Sequence, residues 1–224
     1  GIACSYGVPQ IGFVTNGTMI TEEDVITCVS KGVNIVHISI DASNPETYRR
    51  IRGADLERVI DVLRQFKKYK LEQKKNIPQI NVNYTLFTIN SEELLPFIKK
   101  YGEFIDCIRV GLYMKRHEEL PFDRPDPDTV RRVIDDARRL CESENIEFHA
   151  AYETKSATRK RLCPVPLSYI NINSRGEVRL CSQEVIGNLL EGDSYIEIGK
   201  RNLSKIKDLI HMKNQHCQAH CYSS

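Results

Sequence analysis

Short apolar runs alternate with longer amphipathic runs over the first 150 residues, and few folds accommodate that alternation. The apolar runs predict five strands, at Gln10–Gly17, Asn34–Asp41, Gln79–Thr88, Cys107–Tyr113 and Ile146–Tyr152. The amphipathic runs predict helices at Thr21–Lys31, Pro45–Arg50, Leu56–Tyr69, Ser91–Tyr101 and Asp128–Asn145. Repeated strand–helix units predict an α/β fold with a parallel sheet and right-handed crossovers.

Four of the predicted strands carry polar residues at every second position. These residues are His37, Ser39, Asp41, Asn81, Asn83, Thr85, Arg109 and His149. A parallel sheet covered by helices on both faces is expected to be apolar throughout its strands. Each polar residue could be satisfied individually in an ordinary core, but the set favours a curved sheet whose concave side is a wet, ligand-holding lumen.

The last quarter of the chain contains four cysteines at the ends of predicted elements. These tail cysteines are Cys163, Cys181, Cys217 and Cys221. A hairpin of Leu167–Asn173 and Glu177–Leu180 would place the first two side by side, and an amphipathic helix at Asn202–Met212 would bring the last two back toward them. Four converging thiolates suit an iron–sulfur cluster or a tetrahedral zinc ion, and their spacing does not separate the two. The alternative is that they are buried apolar residues or disulfide partners.

Charge and composition exclude several other classes of protein. The 32 basic and 30 acidic residues nearly cancel to a net charge of +2, which gives no argument for nucleic-acid binding. No apolar run reaches membrane-spanning length and no signal peptide is visible. The eight cysteines lack dense short-loop spacing, which suggests a reducing interior, and a cytoplasmic protein is expected. The chain lacks GxGxxG and phosphate-loop motifs, which disfavours a dinucleotide or a nucleoside triphosphate. The other cysteines (Cys4, Cys28, Cys107 and Cys141) have apolar neighbours and are predicted to be core residues.

Hydrogen-bonding residues cluster where the predicted strands end. In parallel α/β sheets the ligand lies at the carboxyl ends of the strands. The residues at those ends, or in the loops and helices that follow, are Thr15, Asn16, Ser39, Asp41, Arg52 and Asn90. This collection suits a nucleoside joined to an amino-acid moiety, with an arginine for the carboxylate.

Several of these stretches together resemble a known family. Thr15-Asn16-Gly17, Ile38-Ser39-Ile40-Asp41, Tyr48 to Gly53 and Asn90 before a Glu-Glu-Leu helix resemble the later part of radical S-adenosylmethionine (SAM) enzymes. The tail resembles the SPASM/twitch extension of that superfamily, through the tail cysteines, Gly176 and Gly187-Asn188. The resemblance implies the later strands of a partial TIM-like (β/α)6 barrel in residues 1–155. It also implies a small hairpin-plus-helix cluster-binding domain in residues 156–224.

The resemblance also implies a chemistry. In the family, a reduced [4Fe–4S] cluster cleaves SAM to a 5′-deoxyadenosyl radical that abstracts a substrate hydrogen. By motif match, Ser39 and Arg52 would contact SAM, with Thr15, Asn16, Asp41 and Asn90 near it. The tail cysteines would hold one auxiliary [4Fe–4S] cluster. The expected substrate is a peptide, a protein or a small metabolite, and the expected reductant is a flavodoxin or a ferredoxin.

Two departures from the family pattern qualify this expectation. The C-x-x-x-C-x-x-C loop for the SAM cluster and a Gly-Gly-Glu-like stretch are both missing, and Cys4 stands alone. The chain is therefore expected to be a fragment that does not cleave SAM by itself, with the SAM cluster in a segment before it. The tail also lacks the central cysteine group of a full SPASM domain, which favours a single auxiliary cluster. Two alternatives remain: a zinc-stabilised four-cysteine binding module and an inactive truncated homologue.

Overall fold

The computed structural model describes residues 9–113, 122–150, 171–173, 175–179, 185–192 and 194–210. The chain divides into two compact units between residues 153 and 154. The tail cysteines and Cys4 lie outside the described residues.

The first unit is a five-stranded parallel sheet in which spatial order follows chain order. Its strands are β1 (Gly12–Thr15), β2 (Ile35–Ser39), β3 (Gln79–Leu86), β4 (Cys107–Leu112) and β5 (Glu147–Ala150). Its helices are α1 (Glu22–Ser30), α2 (Pro45–Arg52), α3 (Leu56–Glu72), α4 (Leu94–Tyr101) and α5 (Pro127–Ser143). The predicted α/β class and parallel order are confirmed, and the simple strand order fits part of a barrel.

One face of this sheet forms the apolar core. Its strand residues include Val36, Ile38, Ile80, Val82 and Ile108, which have at most 1% of their surface exposed. They meet the apolar faces of the helices, where α1 packs beside α3 and α4 beside α5. Apolar residues recur at every second position in the strands and at every third or fourth position in the helices. Both sets therefore face the single apolar layer between the sheet and the helices.

Three helices of the first unit begin directly after a capping side chain of a type that the sequence indicates. Thr21 and Asp24 form the predicted capping box of α1, and Asn44 and Asp126 cap α2 and α5 ahead of a proline at the first helical position. The helix predicted from Ser91 instead begins with a 3₁₀ segment, Thr88–Glu93, and becomes α-helical at Leu94. Pro96 explains this start, because a proline is tolerated only in the first turn of an α-helix.

The second unit contains a small antiparallel sheet. It consists of β6 (Asn171–Ile172), β7 (Glu177–Arg179) and β8 (Val185–Asn188) in that order, followed by α6 (Tyr195–Arg201) and α7 (Leu203–Ile210). Val178, Ile186 and Ile198 form its buried apolar cluster. The predicted hairpin and final helix are present where described, whereas β8 and α6 were not predicted. Within the described residues, no helix is long and apolar enough to cross a membrane.

Candidate functional site

The six predicted binding residues all lie at one edge of the five-stranded sheet, where β1, β2 and β3 end. Thr15 and Ser39 are the last residues of β1 and β2, and Asp41 follows β2 by two residues. Arg52 ends α2, and Asn90 lies in the 3₁₀ segment after β3. Because β1 to β3 are parallel neighbours, their carboxyl ends meet at this edge.

Asp41 is the buried centre of the site, with only 1% of its surface exposed. Arg52 Nε donates to its Oδ2, and the backbone amide of Thr85 donates to its Oδ1 at 2.5 Å. Burial raises the pKa of Asp41, while the Arg52 charge and the hydrogen bonds from Arg52 and Thr85 oppose that rise. Since both carboxylate oxygens face donors, the ionised form is the one that this geometry fits.

Among the residues that the structure describes, Arg52 is held by Asp41 at one nitrogen. A guanidinium carries five N–H donors in a planar fork, and the Asp41 pairing uses the one on Nε. The Arg52 side chain is 30% exposed. Gly53 ends the helix behind it in the left-handed conformation, at φ 66°, with its amide donating to Arg49 O. Arg52 therefore occupies a fixed position with donor groups left for an anionic ligand.

Asn90 ties the loop after β2 to the end of β3. Its Nδ2 donates to Asp41 O at 2.6 Å and to Thr85 O at 2.9 Å, and its Oδ1 accepts from the Phe87 amide at 2.7 Å. The side chain is completely buried. Both donors and the acceptor are thus committed to the backbone, so Asn90 supports the site through the loop that positions Asp41.

Replacing Asn90 with alanine is expected to lower the free energy of unfolding by about 2–4 kcal/mol, because it leaves two buried carbonyls and a buried amide without partners. Chemical denaturation at equilibrium would measure this loss. Asn90→Asp keeps an acceptor for Phe87 but turns the donor group into a buried carboxylate oxygen that faces two carbonyl oxygens, so a loss at least as large as that of Asn90→Ala is expected. Ser91→Ala, which removes one hydrogen bond to Thr88 O, is the neighbouring control. A loss no larger than that of the control would contradict this role of Asn90.

The other three residues differ in how much of their hydrogen-bonding capacity is used. Thr15 Oγ1 accepts from the Gly17 amide at 3.0 Å, and Asn16 Oδ1 accepts from the amide and hydroxyl of Thr18. These bonds shape the turn after β1. Within the described residues the Ser39 hydroxyl forms no hydrogen bond, and only the Ser39 carbonyl accepts, from Tyr48 at 3.5 Å. Ser39 and Arg52 therefore have donors available to a ligand. The Thr15 hydroxyl and the Asn16 NH₂ group, which donate to no partner within the described residues, are further donors at this edge.

The sheet face opposite the apolar core is polar, as the alternation predicts. His37, Asn81, Asn83, Arg109 and His149 lie on it, since their strand neighbours enter the core. Burial and the Arg109 charge lower the pKa of His37, and a hydrogen bond with Asn83 opposes this. His37 is thus neutral at neutral pH and can accept as well as donate.

Sequence reasoning missed one carboxylate at this edge, and it did not predict on which face of the sheet one buried cysteine lies. Glu93 Oε2 accepts from the amides of Ser43 and Asn44, both at 2.9 Å, and so fixes the entry to α2. Fifty residues separate these partners, and no local pattern signals the contact. Cys141 lies in the apolar core as predicted. Cys107, also predicted to be a core residue, is buried on the polar face, because its strand register places it beside Asn81 and Glu147.

Comparison with known proteins gives one family match and several structural matches. Residues 3–101 match the model of the radical SAM superfamily. The fold is similar to that of Streptococcus suis SuiB bound to S-adenosylmethionine, with a TM-score of 0.70, 14% identity, and coverage of 99% of this chain and 55% of that chain. It is also similar to SuiB bound to precursor peptide SuiA, with a TM-score of 0.64, 14% identity, and coverage of 100% and 52%.

These matches differ in what they establish. At 14% identity, the likeness to SuiB shows the fold alone. The chain spans about half the length of SuiB. No curated protein matched the chain. The family match over residues 3–101 includes all six predicted binding residues.

Proposed function

Because the chain carries a radical SAM superfamily domain over residues 3–101, we propose that the edge formed by Asp41, Arg52 and Ser39 binds S-adenosylmethionine. The available donors of Arg52 bind the carboxylate of its methionine part, and the Ser39 hydroxyl contacts the ribose or the carboxylate. Thr15, Asn16 and Asn90 shape the loops around it. When SAM is bound and reductively cleaved at a [4Fe–4S] cluster, it supplies the 5′-deoxyadenosyl radical of this superfamily.

The observation that carries this proposal is the Asp41–Arg52 pair. A buried carboxylate holds the guanidinium through Nε, and a guanidinium binds a carboxylate best through two parallel N–H groups. A ligand carboxylate can therefore bind the remaining N–H groups of Arg52 without any change in the Asp41–Arg52 pair. The Ser39 hydroxyl, which has no partner among the described residues, lies at the end of β2. It offers a second contact, as a donor to a ribose or carboxylate oxygen.

Replacing Arg52 with alanine is expected to weaken SAM binding by about 10–100-fold, since hydrogen bonds to charged groups contribute about 1.5–3 kcal/mol. Anaerobic isothermal titration of SAM into the purified protein would measure it. Arg50→Ala is the matched control, because Arg50 is an exposed arginine in the same helix turn. Arg52→Lys should recover only part of the affinity, since lysine lacks the planar fork. Equal losses in Arg52→Ala and Arg50→Ala would refute the assignment.

We further propose that the whole protein modifies a peptide. The support is the likeness of the fold to SuiB, which has been solved with a precursor peptide bound. The polar face of the five-stranded sheet offers amide, imidazole and guanidinium groups, which suit backbone and side-chain hydrogen bonds of a peptide. The tail cysteines are proposed to hold an auxiliary [4Fe–4S] cluster, and a flavodoxin or a ferredoxin is the proposed reductant.

A further inference from the structure

The amino ends of β4 and β5 bring three metal-binding side chains together. Cys107 is the first residue of β4 and Glu147 is the first residue of β5, and they are direct partners across the two strands. His149 lies two residues along β5 on the same face. The Cys107 sulfur, a Glu147 oxygen and a His149 nitrogen all lie within 4.8 Å of one another. They come from stretches about forty residues apart, so strand register alone produces the cluster.

The separations suit a single ion. Ligands bound about 2.0–2.3 Å from a tetrahedral zinc ion lie roughly 3.3–3.8 Å apart. His149 Nε2 and Glu147 Oε1 are 2.7 Å apart as a hydrogen-bonded pair, so an ion entering between them requires only small side-chain rotations. Both side chains are about half exposed, at 51% and 54%, whereas Cys107 is buried. The cluster is therefore open to solvent on one side and closed on the other.

A second observation at the same place also indicates a missing partner. Asn81 is only 3% exposed, and its buried Oδ1 has no hydrogen-bond partner in the described part of the chain. Its flanking residues Ile80 and Val82 enter the apolar core, so Asn81 lies on the polar face, where it is the direct strand partner of Cys107. A buried acceptor of this kind is normally satisfied by a protein donor or by an ordered water. Water bound to an ion at the cluster would be such a donor.

The neighbouring residues support ligation. Gln79 Nε2 donates to Glu147 Oε2 at 3.1 Å, which orients the carboxylate and leaves Oε1 toward His149. Burial and Glu147 raise the pKa of the Cys107 thiol, while a hydrogen bond with Arg109 and its charge lower it. The Arg109 charge is unfavourable for a cation, but the thiolate and the carboxylate together supply two negative charges. Metal binding would itself favour the thiolate.

We propose that Cys107, Glu147 and His149 form a binding site for a zinc-class divalent cation, with a bound water in the fourth position that donates to Asn81 Oδ1. Sulfur, imidazole and carboxylate together are a donor set for Zn²⁺, whereas Mg²⁺ and Ca²⁺ prefer oxygen. The site joins the first residues of β4 and β5. It is separate from the Asp41–Arg52 edge, because Cys107 pairs with Asn81, which lies four residues, or about 13 Å along the strand, before the Thr85 amide that binds Asp41.

Zinc content after equilibrium dialysis tests this site. The parent chain would be dialysed anaerobically against Zn²⁺ beside His149→Ala, Cys107→Ser and Cys28→Ser, and bound zinc would be counted by mass spectrometry. His149→Ala and Cys107→Ser are each expected to lose about one equivalent relative to the parent, whatever the tail cysteines bind. Cys28→Ser replaces a half-buried cysteine that packs on the apolar core, so it is expected to retain the parent value.

Cobalt substitution provides a second readout. Co²⁺ in the parent is expected to show a thiolate charge-transfer band that is stronger than in Cys107→Ser. His149 is exposed on a strand at one edge of the sheet, so His149→Ala should remain folded by circular dichroism. Zinc counts and cobalt spectra of His149→Ala and Cys107→Ser equal to those of the parent would overturn the proposal. An equal loss of zinc in Cys28→Ser would overturn it as well.

Discussion

The protein with all four tail cysteines changed to alanine is expected to take up no auxiliary cluster during anaerobic reconstitution with iron and sulfide. The parent should gain about four irons and four sulfides per chain, since one [4Fe–4S] cluster requires four thiolates. The prediction rests on the cysteine spacing, because these residues lie outside the described part of the structure. Iron and sulfide counts, with the visible absorption of the cluster, would measure the difference.

The matched control replaces Cys28 and Cys141, which lie on or in the apolar core of the first unit. That variant should retain the cluster if it remains folded. If the parent binds zinc through the tail cysteines and no iron, the four-cysteine module is structural and the auxiliary-cluster proposal is wrong. If it binds neither metal, the tail is not a metal site.

Changing Asp41 to asparagine is expected to weaken both the fold and SAM binding. Asp41 accepts from Arg52 at one oxygen and from the Thr85 amide at the other. Asparagine has one acceptor and one NH₂ group, so one of these donors would face another donor. The expected loss in the free energy of unfolding is about 1–3 kcal/mol, reduced from the value for a fully buried ion pair because Arg52 is 30% exposed. SAM affinity should fall about 10–100-fold as Arg52 loses its position.

Asp61→Asn is the control for this experiment. Asp61 also pairs with an arginine, Arg64, but both side chains are about half exposed, and surface pairs contribute about 0–1 kcal/mol. Urea denaturation and SAM titration of the two variants would separate the effect of changing a buried carboxylate from the effect of removing one negative charge. Unchanged SAM affinity in Asp41→Asn, with lowered stability, would mean that Asp41 supports the fold but does not position a ligand-binding arginine.

Much of the first unit could be predicted from the sequence because its signals are local. Apolar residues at every second position marked β2, β3 and β4, and each prediction agreed to within about two residues at either end. The capping residues Thr21, Asn44 and Asp126 are equally local. The position of the candidate site followed from one topological rule, that ligands lie where parallel strands end.

The remaining features depend on contacts between distant residues. The sequence placed Asn90 near the site, but only the structure shows that all its hydrogen bonds go to the backbone. The group formed by Cys107, Glu147 and His149 depends on how β4 and β5 align, and a shift of one residue would place them on opposite faces. In the second unit, β8 and α6 are short, at four and seven residues. Runs of four or seven residues contain too few repeats of the hydrophobic pattern to be recognised in a sequence.

The attachment of Arg52 to a buried carboxylate has a consequence for how tightly a ligand can bind. A free arginine side chain has about 2 kcal/mol of rotamer entropy, and a ligand that orders it must offset that loss. Here the Asp41 carboxylate restricts the guanidinium when the protein folds. The Thr85 amide holds that carboxylate, and Asn90 holds the backbone carbonyl of Asp41. Arg52 is thus already ordered before the ligand binds. A larger part of the free energy of the ligand's contacts therefore appears as binding affinity.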